Sequence, residues 1–187
     1  GLLRQEIQWV SDYFATSIWG TDKTGNSDFT YWNTYATSDP ITDIEAGKST
    51  ILSNTGFLPN TLVLGYDVFR HLKHHPDIVD RIKYTSSENI SEGMLARLFE
   101  LDNVYVAKAV KATNNEGETA AYSMTHGKNA LLCYVNPTPG LLAPSAGYTF
   151  VWNGYHAGNS QGIRIKQFRM EHIAADRIEG EMTYDQK

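Results

Sequence analysis

The chain has 187 residues and a mass of 21.0 kDa, which at about 150 residues per domain predicts one large domain or two small ones. Its 16 basic and 21 acidic residues give a formal charge of −5 without any basic block, so the charge pattern of a dedicated nucleic-acid binder is missing. The single cysteine, Cys133, excludes a disulfide framework within the chain, and no apolar run approaches the roughly 18 residues of a membrane span.

The first predicted element is an amphipathic helix over residues 2–18, which Gly20 is expected to end. Its apolar residues recur at helical spacing: Leu3, Ile7, Val10, Phe14 and Ile18. Residues 20–38 are polar and turn-rich but carry four aromatic rings within 29–35, in a chain that is 12% aromatic. Because a disordered linker would not need those rings, we expect an ordered loop that packs against another surface.

Helices and one strand are predicted next. Asp39 as N-cap and Pro40 at the first helical position begin a helix that extends to about residue 54. The following elements are a buried strand over 61–64, a helix over 68–75, a helix that starts at Pro76 and a helix capped by Ser91.

The hydrophobic period changes from helical to alternating after residue 102. The elements predicted beyond it are a strand over 104–110 that Lys108 interrupts, a hairpin turn at 114–117, a buried strand over 130–135, a strand over 148–152, a glycine-rich surface loop over 154–162, and strands over 163–165 and 171–184. Helices first and mostly antiparallel strands afterwards predict an α+β fold.

One short motif matches part of a nucleotide site. Gly47-Lys48-Ser49-Thr50 copies the end of a phosphate-binding P-loop, whose pattern requires a further glycine where this chain has Thr42. The stretch also lies inside a predicted helix, whereas a P-loop joins a strand to a helix. We therefore predict no nucleotide site there.

Three histidines crowd one predicted helix end: His71, His74 and His75. His71 and His75 are four residues apart and could share a face, as paired zinc ligands do. However, Leu72 stands where a zinc-protease helix places its glutamate, and a proline breaks the helix before Asp77, the candidate third ligand. A polar helix end is therefore favoured over a metal site.

The remaining constellations are interpreted as structural. Cys133 with His126 could suggest a cysteine nucleophile, but Cys133 lies in the most apolar run of the chain and is expected to be buried. Glu179 with Glu181 and Glu116 with Glu118 lie in polar or turn-like sequence, which favours a solvated surface over acid–base chemistry. The polar sequence around Gly154, Gly158 and Gly162 favours a flexible loop over a membrane helix contact. The sequon Asn89-Ile90-Ser91 has no secretory context. The residues thus predict no catalytic, cofactor-binding or metal-binding site.

Longer stretches carry a family resemblance. The main one is residues 60–84, NTLVLGYDVFRHLKHHPDIVDRIKY, and the others are 19–22, 38–41, 127–132 (GKNALL), 144–152 (PSAGYTFVW) and 182–185 (MTYD). In this order they span nearly the whole chain, and the chain resembles the tailed-bacteriophage major capsid proteins.

This resemblance implies the Hong Kong 97-like capsid fold, with a spine helix, a peripheral domain and an axial domain with mostly antiparallel sheets. Residues 1–59 would be the end of the spine helix, the aromatic loop and a second peripheral helix. Residues 60–160 would be mainly axial, and 161–187 would return to the peripheral domain. The chain starts at Gly1 without methionine and stops at Lys187, so we expect a fragment or processed product that lacks the upstream arm and the extended loop.

The implied function is assembly rather than catalysis. Copies of the protein would form hexamers and pentamers that close into an icosahedral shell around double-stranded DNA. Further implied partners are scaffold, portal and decoration proteins, with the packaged DNA held nonspecifically and no membrane involved. The implied location is the virion, assembled in the bacterial host cytoplasm.

Two placements and three alternatives complete these expectations. The aromatic loop 29–35 is expected to pack on the spine helix or a neighbouring subunit, and the loop 154–162 to lie at the axial tip near a symmetry axis. The alternatives are an encapsulin-like nanocompartment shell, a metal-dependent enzyme built on His71, His74 and His75, and a plain oligomeric binding module.

Overall fold

The computed structural model describes residues 2–15, 17–83, 90–140, 142–152, 154 and 163–187, with side chains from Arg4 onward. The chain divides into two compact units, Gly1–Tyr134 and Val135–Lys187. The first unit contains, in order, α1 (Leu2–Tyr13), α2 (Pro40–Thr55), β1 (Thr61–Gly65), α3 (Tyr66–Lys73), α4 (Pro76–Ile82), α5 (Glu92–Leu98), β2 (Asn103–Ala107), β3 (Val110–Ala112), β4 (Tyr122–Met124) and β5 (Ala130–Cys133).

The second unit consists of strands and one short helical turn. Its elements are β6 (Thr149–Val151), β7 (Ile163–Met170), a 3-10 turn (Glu171–Ile173), β8 (Ala175–Met182) and β9 (Tyr184–Gln186). No helix in the described part of the chain is long and apolar enough to cross a membrane. Most of the predicted loop 154–162 lies outside the described residues, as does the sequon residue Asn89.

The first helix is shorter than predicted. It ends at Tyr13, not at residue 18, because the chain turns back there. The indole N–H of Trp19 donates a hydrogen bond to the Tyr13 carbonyl and so satisfies a polar group that the helix end leaves free. Ser17 has a φ of 68°, which is incompatible with a continuing helix. Ile18, counted as the last residue of the apolar stripe, is consequently exposed.

The predicted start of the second helix is confirmed. The Asp39 carboxylate accepts hydrogen bonds from the backbone N–H groups of Ile41 and Thr42, and Pro40 follows the cap. The hydrogen bond from the Thr42 hydroxyl contributes most to the lowered pKa of Asp39. At the other end Gly56 adopts a φ of 74° and donates its N–H to the Leu52 carbonyl, a conformation that glycine adopts without strain.

The buried core of the first unit lies between helices and one face of a three-stranded sheet, ordered β2-β1-β5. β1 runs parallel to β2 and antiparallel to β5. The core residues are Ile41, Ile44, Leu62, Leu64, Leu72, Ile78, Ile82, Leu95, Ala96, Phe99, Leu101 and Val104. Because a buried Leu or Ile contributes about 1.5–3 kcal/mol, this cluster is the main stabilising feature of the unit.

The strands are mostly antiparallel, as predicted for an α+β fold. Among the strands named above, the β1–β2 pair is parallel, and β1–β5, β3–β4, β6–β9 and β7–β8 are antiparallel. The strand predicted over 104–110 is two strands, β2 and β3, and the break falls at Lys108, whose ammonium pairs with Glu92 at 2.9 Å. The strand predicted over 171–184 is also wrong at its start, where the 3-10 turn precedes β8.

Candidate assembly surface

The three histidines of the predicted helix end lie in different surroundings. His71 Nδ1 shares a hydrogen bond of 2.9 Å with the Tyr35 hydroxyl, while His74 is exposed at the end of α3. His75 is completely buried. The described residues contain no group of three or more His, Cys, Asp or Glu side chains that could hold a metal ion. The geometry therefore gives the hypothesis of a His71–His74–His75 metal site no support.

His75 caps the helix that follows it, a role that the sequence pattern did not indicate. Ser38 Oγ donates to the Thr34 carbonyl, so it accepts from His75 Nε2 at 2.9 Å. His75 Nδ1 is then free to accept the backbone N–H of Asp77 at the start of α4. A neutral imidazole protonated on Nε2 satisfies both contacts. The buried ring thus joins the loop before α2 to the α3–α4 turn.

The P-loop-like motif lies within α2, as predicted. Lys48 is only 8% exposed, and its ammonium donates a 2.9 Å hydrogen bond to the Phe99 carbonyl at the end of α5. Glu100 lies 3.7 Å from the same ammonium, but its side chain is 82% exposed. Lys48 therefore ties α2 to the C-terminus of α5, where a positive charge also complements the helix dipole.

Cys133 is buried, in agreement with the sequence analysis. Burial raises the pKa of its thiol to about 11, so it is a poor nucleophile at neutral pH. His126, its suggested partner, packs against the ring of Trp9 on α1 and the ring of Phe14 just after it. The structure thus assigns both residues to packing.

The aromatic loop docks on the first unit itself. The Trp32 indole N–H donates to Asp43 on α2 at 2.7 Å, and its ring packs against the buried core. The Tyr35 ring meets His75 edge-on at 5.7 Å between centroids. The expectation of an ordered loop is confirmed, but these contacts are with α2 and the α3–α4 turn rather than with the first helix.

The two faces of the β7–β8 hairpin in the second unit differ in polarity. Register places four apolar residues, Ile163, Ile165, Ile178 and Met182, on one face, which also carries Gln167 and, at its far end, the Arg169–Asp176 ion pair. Ile165 is 75% and Ile178 is 69% exposed. A two-stranded hairpin is marginal in water, so an exposed face of this kind requires a partner surface.

The opposite face of the hairpin carries the predicted glutamate pair. Glu181 accepts a 2.8 Å ion pair from Lys166 across the strands, and Glu179 one of 2.8 Å from Arg177. The Arg177 guanidinium also lies 5.9 Å from the centre of the Phe168 ring. Glu116 and Glu118 are exposed at the β3–β4 turn. These carboxylates are ion-paired or solvated, as expected for a surface.

The first unit also exposes apolar sheet residues. Val63, Tyr105 and Leu131 form one row across β1, β2 and β5, on the face opposite the core; Tyr105 is 56% exposed, and Val63 and Leu131 are half-buried. On the β3–β4 hairpin, Val110 and Tyr122 lie on one face, and Tyr122 is 70% exposed. Exposed apolar sheet faces in both units are typical of contact surfaces between proteins. In β1 and β2 the sequence signal is strand alternation in which both kinds of position carry apolar residues.

Comparisons with known proteins place these surfaces in context. No family model matches the chain. The chain is 35% identical over 123 residues to the major capsid protein of Burkholderia phage BcepMu, a match that covers 62% of this chain and 38% of the phage protein. It is also similar to the solved structure of a phage-related protein from Bordetella bronchiseptica RB50, with a TM-score of 0.66 and 31% identity, covering 80% of this chain and 46% of that one. The chain therefore spans less than half the length of either relative.

Proposed function

We propose that this chain belongs to a structural capsid subunit that assembles with copies of itself into an icosahedral, Hong Kong 97-like shell around double-stranded DNA. The observation that carries the proposal is the 35% identity over 123 residues to a phage major capsid protein. The similarity in fold to a phage-related protein supports it independently.

The distribution of apolar surface supports the same function. Subunits of a closed shell contact several neighbours through different surfaces, and each contact is heterologous or lies on a symmetry axis. Here the hairpin of the second unit exposes Ile165 and Ile178, and the sheet row of the first unit exposes Tyr105. Exposed apolar residues on both units are typical of a protein that binds partners through these surfaces.

Within this proposal, residues 1–59 and 161–187 belong to a peripheral domain and 60–160 mainly to an axial domain. Hexamers and pentamers of the same chain would be the building blocks, with scaffold, portal and decoration proteins as further partners. A net charge of −5 suits weak, nonspecific contact with the packaged DNA. The role is structural, and the shell is part of the virion, assembled in the host cytoplasm.

Sedimentation velocity of the product of the complete gene tests the proposal. We expect most of the protein in one fast-sedimenting species of virion-shell size. Monomers or small oligomers at all concentrations would contradict it. Shells that contain a host enzyme and exclude DNA would favour the encapsulin-like alternative.

A further inference from the structure

One buried contact in the first unit joins a titratable ring to the first helix. His126 follows β4 and is only 7% exposed, and α1 covers it from one side. The Phe14 ring meets it edge-on at 5.6 Å between centroids, and the Trp9 ring lies at 6.2 Å. Glu6 places a carboxylate oxygen 3.5 Å from His126 Nδ1.

The polar atoms at this contact are poorly satisfied. Among the described residues, neither His126 Nδ1 nor the adjacent Thr125 hydroxyl has a hydrogen-bond partner, although both atoms are buried. Glu6 is the charged group that faces Nδ1, since Arg4 and Asp12 of α1 and Lys128 of the following loop are exposed. A buried polar atom without a partner costs about 1–3 kcal/mol, so the contact is held chiefly by the aromatic rings.

Protonation acts against this contact. Burial lowers the pKa of His126, and the Glu6 carboxylate opposes that effect without cancelling it. With α1 docked, the ring therefore binds a proton less readily than it would in water, where its pKa is about 6.5. It follows that acidification below about pH 6.5 favours states in which the ring is solvated.

Release of α1 is the local opening that would expose the His126 ring to water. None of the described side chains of α1, which begin at Arg4, belongs to the core of the unit or packs against it, so the helix can open without unfolding that core. We propose that α1 docks on the first unit through a proton-sensitive contact at His126: the helix stays docked while the ring is neutral and is released when the ring is protonated. This inference concerns the first unit alone and holds whether or not the proposed function is correct.

Hydrogen exchange of α1 amides measured by mass spectrometry between about pH 7.5 and about pH 5, corrected for intrinsic exchange rates, tests it. In the wild-type protein we expect α1 protection to fall below about pH 6.5 by at most about tenfold per pH unit, the limit for one proton. Protection of β1 should not change. The His126→Phe variant keeps a ring but cannot titrate, so its α1 protection should not vary with pH. The exposed His74→Gln control should behave as the wild type.

A second variant separates titration from packing. Glu6→Gln removes the carboxylate that favours the charged ring, so the His126 pKa of the docked state, measured by NMR, should fall, and acid should reduce α1 protection more than it does in the wild type at the same pH. A flat wild-type profile, or a Glu6→Gln variant whose α1 protection at about pH 5 falls no further than that of the wild type, would overturn the inference. That outcome is decisive even if His126→Phe fails to dock α1.

Discussion

Lys48 is a buried charged side chain that connects helix α2 to the end of helix α5. Its methylene chain is buried, and its ammonium reaches the Phe99 carbonyl, one of the groups left unpaired at the end of α5. The turn that follows is tight, because Glu100 has a φ of 53° and the Leu101 N–H bonds back to the Ala96 carbonyl. The lysine therefore holds the point where the chain leaves α5 for β2.

We expect Lys48→Met to lower the free energy of unfolding of the first unit by about 1–3 kcal/mol, since the apolar chain is kept and the charged donor is lost. Glu100→Gln is the matched control. Because the Glu100 carboxylate is 82% exposed, its removal should change stability by less than about 1 kcal/mol. Urea denaturation of both variants measures the difference, and equal losses would show that the ion pair matters more than the carbonyl contact.

Gly65 is a second position where the addition of one side-chain atom is expected to change the stability of the first unit. A Cβ there would overlap the carbonyl oxygen of Gly127, a backbone atom that cannot rotate away. We expect Gly65→Ala to destabilise the first unit by about 1–3 kcal/mol or more. Gly20→Ala is the control, since a Cβ at Gly20 meets nothing within 4 Å. Thermal unfolding that is equally affected by both substitutions would contradict the structure at this contact.

At the residue scale, local chemistry was predictable and distant contacts were not. Asp39 as N-cap and Cys133 as a buried residue follow from their neighbours in sequence, and both are confirmed. His75 was interpreted as part of a helix C-terminus, but its ring caps the next helix and bonds to Ser38, 37 residues away. Such contacts depend on how the helices pack, which no local pattern contains.

At the element scale, the helix and strand boundaries that differ between prediction and structure have identifiable causes. The apolar stripe predicted a helix to residue 18, but the indole of Trp19 folds back onto the Tyr13 carbonyl and ends the helix one turn earlier. The stripe could not show this, because Phe14 is apolar and buries its ring against His126 outside the helix. The strand predicted over 104–110 breaks at Lys108 because β2 pairs with β1, whereas β3 pairs with β4 in a different sheet.

The aromatic loop is the element whose contribution to stability is most directly tested. We expect Trp32→Ala combined with Tyr35→Ala to lower the free energy of unfolding by about 2–4 kcal/mol, because the Asp43 hydrogen bond and the packing on the core and His75 are lost. Asn33→Ala, an exposed residue of the same loop, is the control and should have little effect. Urea denaturation checks both, and unchanged stability of the double variant would refute the docking of the loop.

At the scale of the whole molecule, exposed apolar faces connect structure to proposed function. Neither composition nor periodicity pointed to the proposed function; the family resemblance of 60–84 and the later stretches did, and the similarity to a phage major capsid protein agrees with it. The hairpin face is the clearest structural counterpart. Its residues alternate with charged ones, so the sequence predicted the strands but not which face remains uncovered.

We expect Ile165→Lys combined with Ile178→Lys to abolish assembly, because a lysine buried at a subunit contact costs more than the contact provides. Phe168→Lys, on the charged face of the same hairpin, is the control and should still assemble. Circular dichroism should show that the first unit stays folded in both variants. Normal particles from the double variant would mean that this face is not a contact surface.

Electron cryomicroscopy of the purified product of the complete gene tests the central claim most directly. The proposed function predicts closed icosahedral shells of uniform diameter, whose repeating density accommodates both described units of this chain. Isolated subunits or open, irregular oligomers under the same conditions would contradict it.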